Sequence, residues 1–130
     1  MFKSTILAAI AATSIAAGVV NAAGHAPAAI HTMDVASGQI LTDAKGMSLY
    51  TFDKDADGVS NCNGDCAVKW PPLMAADDAS GKKEYSVITR ADGSKQWAYN
   101  GAPLYTWFKD KAVGDMTGDG VKGVWHIAKP

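Results

Sequence analysis

The sequence has no surplus of positive charge: 12 Lys and Arg stand against 13 Asp and Glu, and the basic residues gather nowhere into a patch. Nucleic acid is therefore not expected as a partner. Only two cysteines are present, Cys62 and Cys66. Their C-x3-C spacing and the lack of a strand-helix-strand pattern argue against a thioredoxin-like centre. Past the first residues no long apolar run remains, and Gly and Pro leave no uninterrupted amphipathic stretch of about 12 residues, so a helical core is not expected. Nucleophile elbows, phosphate loops and metal-protease patterns are all missing, and no enzyme is read from the chain.

What is present begins with Lys3 and an uncharged Ala/Ile-rich run over 4–20, too short for a membrane span. It reads as a secretory signal over residues 1–22, with small residues at Val20 and Ala22 setting the preferred cut, and cuts after Ala23 or Ala26 as alternatives. No cysteine follows the cut at once, so the chain is read as exported to the periplasm or secreted rather than lipid-anchored, with no transmembrane segment after cleavage. Residues 23–30, rich in Ala, Gly and Pro, read as a loose mature N-terminus. The remaining 31–130 is one domain's worth of chain.

That domain is a tandem repeat. The stretch 46–70 returns at 101–125 with its landmarks displaced by 55 positions: Gly46 on Gly101, Leu49 on Leu104, Tyr50 on Tyr105, Thr51 on Thr106, Asp55 on Asp110 and Trp70 on Trp125. Phe52 meets Trp107, and Ala36 and Gly38 extend the gapless match to Ala91 and Gly93. Two copies of one supersecondary unit, about 31–74 and 85–130, follow from such a period. Within each copy, short apolar and aromatic runs lie between Gly-containing turns, of which Asn100-Gly101 is the strongest hairpin signal. The expected fold is all-β: two tandem four-stranded antiparallel units packed as a pseudo-two-fold sandwich or a small open barrel, in a monomer. Alternation puts Tyr50 with Phe52, and Tyr105 with Trp107, on equivalent faces, as core or as a ligand-stacking surface.

LYTFDKD at 49–55, CNGDCAVKWPPL at 62–73, GSKQWAYNGAPLYTW at 93–107 and GDMTGDGVKGVWHIA at 114–128 together resemble a bacterial family of secreted repeats and predicted lipoproteins with a Y-x-(F/W/Y)-x-x-D motif. The resemblance assigns that motif to Tyr50, Phe52 and Asp55 in the first copy and to Tyr105, Trp107 and Asp110 in the second. It implies export and repeat architecture and carries no activity.

Candidate chemistry is sparse. Cys62 and Cys66 read as a disulfide in an oxidising compartment, with a metal-ligand pair or a redox centre as alternatives. Asp53, Asp55 and Asp57 ahead of Gly58 open like a calcium loop, but Gly64 stands where the closing bidentate acid belongs. The competing reading has these Asp accepting backbone N–H bonds in turns. A cut after Ala22 would make His25 the third residue, where an α-amine, two amides and an imidazole enclose Cu(II) or Ni(II). For Asp55 and Asp110 the expectation is one structural task done twice. No cofactor is assigned, Ca2+ and Cu2+ being the candidates. The reading is an exported non-enzymatic binding or structural module of the cell envelope, with an envelope protein or a small ligand as partner. The alternative is a metal-binding or redox-associated periplasmic protein.

Overall fold

A computed structural model describes residues 26–130. The signal segment and His25, with its copper reading, lie outside the described residues. Ala26 and Ala29 pack against the core, and the Ile30 N–H bonds Pro27 O at 3.0 Å.

The chain is mostly β. Strand β1 (Ile30–Val35) pairs antiparallel with β2 (Gly38–Asp43). After β3 (Tyr50–Phe52) come a five-residue helix α1 (Asp65–Lys69) and β4 (Met74–Ala75). The second copy supplies β5 (Tyr85–Thr89), β6 (Lys95–Tyr99), β7 (Ala102–Pro103), a 3-10 turn (Val121–Gly123) and β8 (Trp125–Ile127). Hydrogen bonding divides these strands into β1-β2, β3-β8 and a four-stranded group in which β6 pairs with β4, β5 and β7. Among the described residues no barrel closes, and the sheets are not the two equal four-stranded units expected. The helix α1 falls in a stretch read as polar loop. Five residues with none buried give no periodic signal for a sequence pattern to detect.

The sheets divide unequally because each copy completes the other. Tyr50 and Tyr105, equivalent residues, face each other in an antiparallel bridge with reciprocal N–H to O bonds of 2.8 and 3.0 Å. A bridge between equivalents places a local two-fold axis between them. The same exchange recurs outward: Leu73 N–H bonds Leu104 O at 2.9 Å as Ala128 N–H bonds Leu49 O at 2.8 Å. Phe108 N–H likewise bonds Lys69 O as Asp53 N–H bonds Val124 O. Pro72 bridges Tyr105 as Ile127 pairs Tyr50, so the closing segment of each copy lies on the third strand of the other. Pro72 can sit there because the segment is short and at an edge, where its missing N–H costs no ladder bond.

The 55-residue register is not gapless in space. The β1-β2 turn holds two residues between Val35 and Gly38, whereas β5 and β6 meet through Arg90 N–H to Ser94 O, with three residues between. The next turn reverses this: three residues separate Asp43 from Met47, and two separate Tyr99 from Ala102. Inside the second strand the true offset is therefore 56, and Leu41 corresponds to Trp97. Both donate or accept the same bonds, Leu41 N–H to Ala128 O and Trp97 N–H to Leu73 O.

Two hydrophobic clusters result. One holds Ile30, Leu41 and Leu49 with their counterparts Tyr85, Trp97 and Leu104. The other holds Tyr50, Tyr105, Trp70 and Trp125 beside Cys62, with Phe52 and Trp107 half-buried against them.

Candidate binding site

The second cluster is built on a ladder of rings. Phe52 stacks on Trp125 at 4.1 Å between centroids, Trp125 on Trp70 at 3.7 Å and only 3° from parallel, and Trp70 on Trp107 at 3.9 Å. Since Phe52 corresponds to Trp107 and Trp125 to Trp70, the ladder is symmetric and the axis passes between the two inner indoles. Each inner indole also meets a tyrosine ring nearly at right angles, Tyr50 with Trp70 at 5.3 Å and Tyr105 with Trp125 at 5.2 Å between centroids. Each such pair contributes about 0.5–1.5 kcal/mol beyond burial. The ladder closes over Gly118, where a Cβ would stand 2.8 Å from Trp70 Cη2 and 2.9 Å from Trp107 Cγ, so only glycine fits.

The motif's Tyr and Asp hold this arrangement from behind, and they do so across copies. Tyr50 donates its hydroxyl to Asp110 Oδ2 at 2.6 Å, and Tyr105 donates to Asp55 Oδ2 at 2.6 Å. Asp110 Oδ1 accepts from the Thr117 N–H and hydroxyl, while Asp55 Oδ1 accepts the Asn61 N–H. Burial, reinforced by the bond to Asp110, pushes the Tyr50 phenol far above its ordinary range. Burial and the bond to Asp55 do the same to Tyr105. Neither phenol can serve as a base near neutrality, so both remain donors.

The two halves differ in what stands behind the Tyr–Asp pair. In one, Gly118 N–H donates to the Tyr50 hydroxyl at 3.2 Å. In the other, Ser60 Oγ lies 2.6 Å from the Tyr105 hydroxyl, and Arg90 donates to Ser60, Gln96, the Cys62 carbonyl and Asn63. Arg90 is 7 % exposed, a buried cation. Burial raises the Asp55 pKa, with the bonds from Tyr105 and Asn61 and the charge of Arg90 opposing that rise. Sequence reading missed Arg90. Its signal was a cation just past β5 where the first copy has Val35.

The calcium-like carboxylates do not converge. Asp53 meets His126 Nε2 at 2.8 Å, Asp55 faces Tyr105, and Asp57 lies against Gly101, too close for any Cβ there. Among the described residues no three His, Cys, Asp or Glu come together as a metal would need. Cys62 and Cys66 are joined in a disulfide with Cα atoms 5.2 Å apart, in place of the metal-pair alternative.

In front of the ladder lies a cleft of about 360 Å³, on the repeat axis. Phe52, Trp70, Trp107 and Trp125 form its floor, with Val121, Val124 and Cys66 at its walls. Lys54, Lys69 and Lys122 rim it, with Asp65 as the one acid. None of these three lysines is in an ion pair among the described residues. Lys122 is held at φ +53°, a left-handed conformation that costs a non-glycine residue about 1–3 kcal/mol and persists only where neighbours impose it. The symmetric partners of Lys69 and Lys122 are Val124 and Ala67, whereas Lys54 repeats as Lys109, so two of the three charges are departures from the repeat, which comparison of the copies does not find.

The model of a family described as a secreted repeat of unknown function matches residues 31–74 and 86–129, one match per copy and together more than half of the chain. Neither the search of curated proteins nor that of solved structures gave a match. No helix among the described residues is long and apolar enough to cross a membrane.

Proposed function

We propose, from the premise that this chain belongs to that family of secreted repeats, a non-enzymatic binding module of the cell envelope or its surroundings. In this reading the two repeats are halves of one unit, packed about the pseudo-two-fold axis much as a sandwich would be. Its site is the cleft on that axis, and its ligand is small and acidic. The observation that carries the reading is the concentration around an aromatic floor of three lysines that form no ion pair among the described residues, in a chain whose formal net charge is −1. A mostly apolar hollow with a few convergent charges is the usual form of a small-molecule site, and its volume suits one ring or a short chain of atoms. The motif tyrosines and aspartates act as the frame, since their hydroxyls and carboxylates are spent on one another behind the ladder.

Native mass spectrometry of protein taken from the envelope tests this. The expected spectrum carries a small acidic adduct that Lys69→Glu with Lys122→Glu abolishes. A bare mass, together with no change in tryptophan fluorescence on adding concentrated envelope extract, refutes it.

A further inference from the structure

The ladder also restricts what shape of anion the cleft accepts. Trp125 has Phe52 on one face and Trp70 on the other, and Trp70 has Trp125 and Trp107. Both faces of both inner indoles are therefore taken. With 4 % and 3 % of their surface exposed, Trp70 and Trp125 can offer the cleft only their edges.

An aromatic ring is negative over its face and positive around its rim. Sugars and cations dock on open faces, and the two inner indoles have none to give. A row of indole edges instead presents C–H groups of partial positive charge, suited to receiving the electron-rich face of another ring in the T-shaped arrangement that Tyr50 and Tyr105 already make with these same indoles. The lysines add full positive charge at the rim, from three separate elements: Lys54 after β3, Lys69 at the end of α1 and Lys122 in the 3-10 turn. Edge and rim thus ask for one kind of molecule.

We infer, building on the acidic-ligand reading above, that the cleft binds a single-ring aromatic anion, its ring face against the edges of Trp70 and Trp125 and its carboxylate or phenolate toward Lys69 and Lys122.

The test uses the full mature chain with its disulfide intact, and 4-hydroxybenzoate as the probe. The readout is the indole N–H resonances of the four tryptophans. Trp97 belongs to the other hydrophobic cluster and serves as an internal control. Saturable shifts are expected for Trp70, Trp107 and Trp125 and not for Trp97. Lys69→Ala with Lys122→Ala should weaken binding at least tenfold while leaving the unliganded spectrum folded. Cyclohexanecarboxylate, with the same charge but no π face, and 4-hydroxybenzamide, with the ring but no carboxylate, should each bind at least tenfold more weakly. If cyclohexanecarboxylate or galacturonate binds as well as 4-hydroxybenzoate, with the same three indoles shifting, the aromatic assignment fails and the acidic-ligand reading stands. If none of the anions shifts those indoles at millimolar concentration, both fail.

Discussion

Replacing Tyr50 by Phe removes one oxygen and leaves the ring in place, which isolates the hydroxyl's bond to Asp110. That bond is 2.6 Å long, and its acceptor belongs to a residue only 7 % exposed. A charge-assisted bond in such shelter contributes about 1.5–3 kcal/mol. Loss of the hydroxyl also deprives the Gly118 N–H of its acceptor, while Asp110 keeps its two bonds from Thr117, so the aspartate is not stranded. The expected loss is about 2–3 kcal/mol, read by urea unfolding with the disulfide intact. In a domain of this size it lowers the melting temperature by roughly 4–8 °C per kcal/mol. The sharper measurement is a pair of double-mutant cycles. Tyr50→Phe with Asp110→Ala, residues in different copies, should couple by roughly 1–2 kcal/mol, because either change breaks the same bond. Tyr50→Phe with Asp55→Ala, residues of the same motif copy, should be additive to within about 0.5 kcal/mol. Additivity in the first cycle and coupling in the second would falsify the cross-copy pairing and return the motif to a unit within each repeat.

Gly118→Ala should destabilise by about 1–3 kcal/mol and alter the near-ultraviolet dichroism of the ladder, because its Cβ meets two rigid indoles; unchanged dichroism would mean the rings have room to part. Asp55→Ala and Asp110→Ala should each melt below the parent, and added calcium should not restore either, since both carboxylates are engaged by hydroxyl and backbone donors; recovery with calcium would revive the metal reading. Asp55 has a folded pKa raised above 3.8 by burial, so its contribution to stability is greatest below 3.8 and declines as pH rises through the folded value. The stability of the parent relative to Asp55→Asn should therefore improve as the pH is lowered from 7 to 3.5, and the opposite slope would show that its hydrogen bonds and Arg90 outweigh burial.

The repeat, the motif residues and the mostly-β character were legible in the sequence, because they rest on local pattern: turns at Gly, alternating apolar residues and a period of 55. The partner of each motif aspartate was not. Spacing alone allows Tyr50 to meet Asp55 or Asp110, and only the exchange of closing strands decides for the latter. The equivalence of Leu41 and Trp97 was hidden because a residue gained in one hairpin and lost in the next leaves the overall period unchanged. Lys69, Lys122 and Arg90 were hidden for another reason: they are where the copies differ, and comparison of copies finds only what they share.

The exchange of closing strands leaves each copy incomplete without the other. Taken alone, either copy holds a tyrosine without its aspartate, an aspartate without its tyrosine, and a third strand whose outer edge at Tyr50 or Tyr105 lacks the N–H and C=O groups that complete it. A protein consisting of one such copy could satisfy all of them at once only by pairing with a second molecule of itself, through an isologous interface in which each subunit gives what it receives. The tandem chain is that homodimer made covalent by the segment between its copies. Joined in one chain, the two halves need not match, so a disulfide and a buried arginine can each stand on one side of an axis that a true dimer would have been obliged to decorate twice.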